Sequence, residues 1–216
     1  IKSSLGKLSY LLNSNQSSNF LFQIKTNSSF DPETVNSIVK RPRNRQRFKV
    51  LKDNNCDIEF VEIENPVFTQ NLKMVDSSMP NILAKMLIYY YSGEEKADMV
   101  CLVERLKQDN PINYDLSNLH PIYEHKIKTL LTDMSLGMTA ADVWNGRYKA
   151  VGGFIIVQDD GDLVCYHVYQ KDKFQEFLLK HSKLDMPASG KHRFGDVFQM
   201  EGKYYIKLNL QIRYKT

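Results

Sequence analysis

Lys203-Tyr-Tyr-Ile-Lys-Leu-Asn-Leu-Gln-Ile-Arg-Tyr214 places an apolar residue at 204, 206, 208, 210, 212 and 214 without a break. A period of two is what a β-strand with one face on a core requires. Working back from this strand, Phe20 to Lys25 and Ile58 to Ile63 show the same alternation. Gly153 to Val157 and Leu163 to Tyr169 flank Asp159-Asp-Gly-Asp162, which predicts a hairpin. Ile1 to Ser4 reads as the end of a strand broken at Gly6, and Leu8 to Leu12 as a turn or short helix. Between these strands the period changes. Apolar residues three and four apart predict helices over Asn81 to Tyr91 and over Ala97 to Lys107, the second stopped by Asn110-Pro111. A further helix is expected from Pro121 to Leu136, closing at Gly137, and another from Lys171 to His181, with Phe174, Phe177 and Leu178 on one face. Asp31-Pro-Glu33 opens a short helix that Pro42 ends. The expectation is a single α/β domain over residues 1–216, a mixed central sheet flanked by helices.

Composition narrows the function classes. The 216 residues are 42% hydrophobic and 25% charged, ordinary for a globular protein with a sizeable core. No apolar run approaches the roughly 20 residues of a bilayer span, so no membrane role is expected. No charged-then-apolar leader follows Ile1, so no signal peptide is read there. Cys56, Cys101 and Cys165 are odd in number and widely spaced, which speaks against a disulfide scaffold or structural zinc and for a cytoplasmic setting. There is no GxSxG, no HExxH, no Walker-type glycine loop and no dinucleotide fingerprint.

The net charge of +4 decides little, but its distribution says more. No acid precedes Asp31, whereas Lys2, Lys7 and Lys25 do, and Ser and Asn fill 12 of the first 30 positions. Hydroxyls and amides of this kind, Ser3, Ser4, Asn13 and Asn19 among them, suit a phosphate backbone. Lys40-Arg-Pro-Arg-Asn-Arg-Gln-Arg-Phe-Lys49 then carries six cations and no acid. Arg41, Arg43, Arg45, Arg47 and Lys49 sit two apart, so an extended backbone would aim them at one face, as a DNA contact needs. On the last strand Lys203, Tyr205, Lys207, Asn209, Gln211 and Arg213 share the other face. That face is either solvated or, through Gln211 and Arg213, able to read base edges bidentately. Ala188-Ser-Gly-Lys-His-Arg193 is a donor-rich loop in which Ser189, Lys191 and His192 are candidate contacts.

Several segments carry a resemblance. Ile1-Lys-Ser-Ser-Leu-Gly6, Leu11-Leu-Asn13 and Ser18-Asn-Phe20 resemble a stretch of restriction endonucleases of the HpaII family. So do His120-Pro-Ile-Tyr-Glu-His-Lys-Ile-Lys128, Gly152-Gly-Phe-Ile-Ile-Val157, Cys165-Tyr-His-Val-Tyr169, Lys191-His-Arg-Phe-Gly195 and Lys207-Leu-Asn-Leu-Gln-Ile-Arg213. They occur in order, and the stretch from Lys40 to Asn110 matches least. The resemblance implies a PD-(D/E)xK nuclease core, incomplete here at the N-terminus, that cuts double-stranded DNA at CCGG. It makes Lys2 the motif lysine and Mg²⁺ the cofactor, with the metal-binding acid expected upstream of Ile1. A palindromic site would suit a homodimer. The alternative is a DNA-binding module that keeps the scaffold without cutting.

Overall fold

The computed structural model describes residues 10–26, 31–39, 42–148, 153–157, 161, 163–167, 170–187 and 194–215. In chain order the strands are β1 (Tyr10–Leu12), β2 (Asn19–Lys25), β3 (Asp57–Ile63), β4 (Gly153–Val157), β5 (Leu163–His167), β6 (Ser182–Leu184), β7 (Val197–Met200), β8 (Lys203–Asn209) and β9 (Ile212–Tyr214). The helices are α1 (Glu33–Asn36), α2 (Arg43–Asp53), α3 (Pro66–Val75), α4 (Met79–Ser92), α5 (Met99–Asp109), α6 (Ile122–Ser135) and α7 (Lys171–His181). The α/β class holds, but the mixed sheet is corrected. Among the described residues the strands form three sheets, ordered β3-β2-β8-β7, β1-β9-β6 and β4-β5, and every pairing is antiparallel.

Most elements follow from local chemistry. In α4, Ile82, Leu83, Ala84, Met86, Leu87, Tyr89 and Tyr91 are all buried, so this helix runs through the core, and it ends where Gly93 takes φ +81°. Asp98 caps α5 by accepting from the Val100 amide at 3.0 Å, and Asn110 closes it in the left-handed region. Asp31 accepts from the Glu33 amide at 3.0 Å, which starts α1 close to its expected position. Tyr10–Leu12 and α3 are among the elements that differ from expectation. Tyr10–Leu12 is a strand rather than part of a turn or short helix, because β9 offers it a ladder. The helix α3, opened by Asn65 and Pro66, has no counterpart in the sequence expectation. Its buried stripe is only Phe68, Asn71 and Leu72, and the polar Asn71 breaks the apolar pattern.

The alternating run at the end of the chain serves two sheets. β8 lies between β2 and β7, whereas β9, two residues later, lies between β1 and β6. The chain leaves one sheet at Leu210-Gln211 and joins the other, so one continuous apolar row (Ile206, Leu208, Leu210, Ile212) stays in the core throughout. The opposite row is not a solvated face. Tyr205 is 8% exposed, Asn209 0% and Gln211 6%.

Candidate nucleic-acid interface

The basic run is helical, and this corrects the extended reading. Pro42 does not close the preceding segment; it stands at the N-terminal boundary of α2. The buried stripe of α2 is Asn44, Arg47, Phe48 and Leu51, at spacings of three, one and three, which is a helix face with two polar members. Arg47 therefore points inward. Its side chain is 2% exposed, and it donates to the Ile38 carbonyl at 3.1 Å, the Asn36 carbonyl at 2.9 Å, the Gly195 carbonyl and the Asp196 carboxylate. An arginine so enclosed is a tie between α1, α2 and the start of β7, not a phosphate contact.

The other cations of α2 lie on a shared surface. Arg43 sits 6.0 Å over the Phe194 ring, which meets Tyr91 edge-on at 6.0 Å. The exposed Arg45 lies across Gly93, where a Cβ would fall 2.6 Å from its Nε. That places a cation at the carbonyl end of α4, where the helix dipole favours it. Arg45 has no ion-pair partner among the described residues. Arg213 on β9 is paired with Asp185 at 3.1 Å. Tyr90 joins these groups. Burial pushes its hydroxyl up to about 12, the Asp185 charge adds to this, and Arg213 and Arg45 oppose it. Tyr90 is therefore a neutral donor at physiological pH, set among three charges.

Strand pairing brings the family-like segments together. Asn209, Leu208 and Lys207 of β8 pair with Asn19, Phe20 and Leu21 of β2, and Ile212 and Arg213 pair with Leu12 and Tyr10 of β1. The Gly195 amide donates to the Lys207 carbonyl at 2.8 Å. Gly195 has φ +80°, and a Cβ there would fall 2.8 Å from Asn44 Oδ1, so only glycine fits this turn.

The remaining candidates divide. Asn13 is exposed at the end of β1. Asn19 is buried at 1%; its Nδ2 donates to Glu64 at 2.9 Å and its Oδ1 accepts from Asn209 at 2.7 Å. It thus belongs to an internal network, in which Asn209 also donates to the Asn15 carbonyl at 2.7 Å and Lys207 pairs with Glu64. Gln211 is buried, and its Oε1 meets no hydrogen-bond partner among the described residues. Lys2, Ser3, Ser4, Ser189, Lys191 and His192 lie outside the described residues. Sequence reasoning missed Asp185 and Tyr90, since nothing local marks an acid two residues before Pro187, or one tyrosine of three, as a neighbour of β9. It also missed the pairing of Lys207 with Glu64, which forms only across the sheet.

Among the described residues no three His, Cys, Asp or Glu side chains come together to hold a cation. These residues do not fit a Mg²⁺ site. No described helix is long and apolar enough to cross a membrane.

The sequence profile of the HpaII restriction endonuclease family matches residues 1–214. The chain is also similar to the type II restriction enzyme HpaII of Haemophilus parainfluenzae, with 40% identity over 215 residues, 99% of this chain. It spans 59% of that relative's length. No solved structure matches. A profile match over almost every residue, and segments of resemblance that adjoin one another in the fold, lead to one conclusion: the chain belongs to the HpaII restriction endonuclease family.

Proposed function

We propose that the protein acts as a type II site-specific deoxyribonuclease, binding double-stranded DNA and hydrolysing phosphodiesters at a short palindromic site, CCGG by resemblance. The observation that carries this reading is the grouping of Arg43 over Phe194, Arg45 across Gly93, and Arg213 of β9, which together with Arg45 acts on Tyr90. Arg43 and Arg45 contact phosphates, which hold register without reading sequence. Arg213 faces base edges, where bidentate donors discriminate. Lys2, Ser3, Ser4, Asn13, Ser189, Lys191 and His192 complete the contacts. Lys2 is the catalytic lysine, its ammonium offsetting the charge that builds on the phosphate during attack by water. The cofactor in this reading is Mg²⁺, which the resemblance to PD-(D/E)xK nucleases implies. A single domain of this kind would work as a cytoplasmic twofold dimer, each copy facing one half of the palindrome.

The test is cleavage of CCGG-containing and CCGG-free plasmids by the full-length protein with Mg²⁺, beside its Lys2→Ala variant. The expected result is cutting of the first plasmid alone, abolished by Lys2→Ala while site-specific binding stays within a few-fold of wild type. Wild-type cutting by the variant would remove Lys2 from catalysis. Specific binding without cutting by the unaltered protein would make it a DNA-binding module.

A further inference from the structure

An acid inside a surface meant for a polyanion needs an explanation. Asp185 lies beside Arg213 and acts electrostatically on Tyr90, on which Arg45 also acts. Its charge must weaken every phosphate contact nearby, by the same Coulomb attraction and repulsion that make the arginines useful. Its position is nevertheless well defined. Asp185 follows β6 directly, Gln211 precedes β9 directly, and the Asp185 amide donates to the Gln211 carbonyl at 3.0 Å. The two strands are in register at Leu184 and Ile212, so the carboxylate is held at a set height beside β9. It meets the guanidinium on its Nε side at 3.1 Å, with the two side chains 25% and 16% exposed. The contact is an ion pair rather than a hydrogen bond, because the buried Nε has no hydrogen-bond partner among the described residues.

We infer that Asp185 is a positioning residue: its ion pair on the Nε side draws the Arg213 guanidinium toward one orientation, so that its terminal edge is presented to the two acceptors of a guanine. This rests on the base-reading role proposed for Arg213. A guanidinium free to rotate would be attracted to any phosphate. One drawn to a carboxylate on its Nε side is restricted in orientation, and a planar fork of donors gains selectivity when its direction is restricted. The structural cost is borne in general affinity, and the return is discrimination.

The experiment measures equilibrium binding of the full-length protein to a CCGG duplex and to one with a guanine pair replaced, over a range of salt. Wild type is compared with Arg213→Ala, Asp185→Asn, the double variant and Asp185→Glu. Positioning requires Asp185→Asn to lower discrimination about tenfold or more while affinity for the altered duplex stays level or rises. The double variant should lose no more than Arg213→Ala alone. Asp185→Glu keeps the charge, and with it the fold, but moves the guanidinium by one carbon–carbon bond; it should lose discrimination with an unchanged thermal midpoint. If Arg213→Ala loses discrimination and both Asp185 variants keep it, the positioning role is wrong and the base-reading role stands. If Arg213→Ala keeps discrimination, base reading by β9 fails and the positioning role fails with it.

Discussion

Arg45 and Arg47 stand two residues apart in one basic run, yet replacing them should have very different consequences. In Arg47→Met the aliphatic stem survives, but the donors to the Gly195, Ile38 and Asn36 carbonyls and to Asp196 vanish. The Gly195 carbonyl bond is fully buried, so that acceptor loses its partner in the interior, at a cost of about 1–3 kcal/mol. The Ile38 and Asn36 carbonyls are partly buried and recover some water, adding roughly 1 kcal/mol each. Asp196 is 54% exposed and regains most of its hydration, so its share is small. The sum is about 3–5 kcal/mol, a large part of the 5–15 kcal/mol typical of a domain. Arg45→Met, on the exposed side, should stay within about 0.5 kcal/mol. Arg47→Lys keeps the charge, but one ammonium cannot reach acceptors contributed by two separate segments, and it should fall between them. Urea unfolding followed by circular dichroism, with midpoints compared at equal slope, measures all three. Equal midpoints for Arg45→Met and Arg47→Met would refute the assignment of Arg47 to the interior, and the extended reading of the run would return.

The double reversal Arg43→Glu with Arg45→Glu should weaken binding to all duplexes alike and flatten the dependence of affinity on salt, because phosphate contacts carry no sequence information; titrations at several salt concentrations check this. Asp133 is 3% exposed, its Oδ1 unpartnered among the described residues, and burial raises its carboxyl above the ordinary range, with Tyr148 and Lys171 offsetting only part. A raised folded-state value means that stability is greatest below the unfolded carboxylate value of about 3.9 and declines as pH rises through the folded one. Asp133→Asn should therefore gain on wild type in thermal midpoint over that interval, and parallel midpoint curves would refute the reasoning.

Elements with long, clean periodicity were legible in the sequence: β2, β3, the β4-β5 hairpin and helices α4 to α7 stand within about two residues of their expected places at most ends. So was the family, because its segments are chemical strings that need no fold to be compared. The tertiary structure alone decided the rest. A sequence pattern treats every arginine as a surface cation, so the helical stripe Asn44, Arg47, Phe48 and Leu51 stays hidden until three carbonyls and an acid are found waiting for Arg47. The run from Lys203 to Tyr214 shows one uninterrupted period of two, and only the partners on either side reveal that it crosses between sheets and buries Asn209 and Gln211. The physical reason is the same in both cases. Local sequence sets which face of an element is apolar, but the fate of a polar side chain depends on acceptors and donors contributed by segments distant in the chain, and those exist only once it has folded.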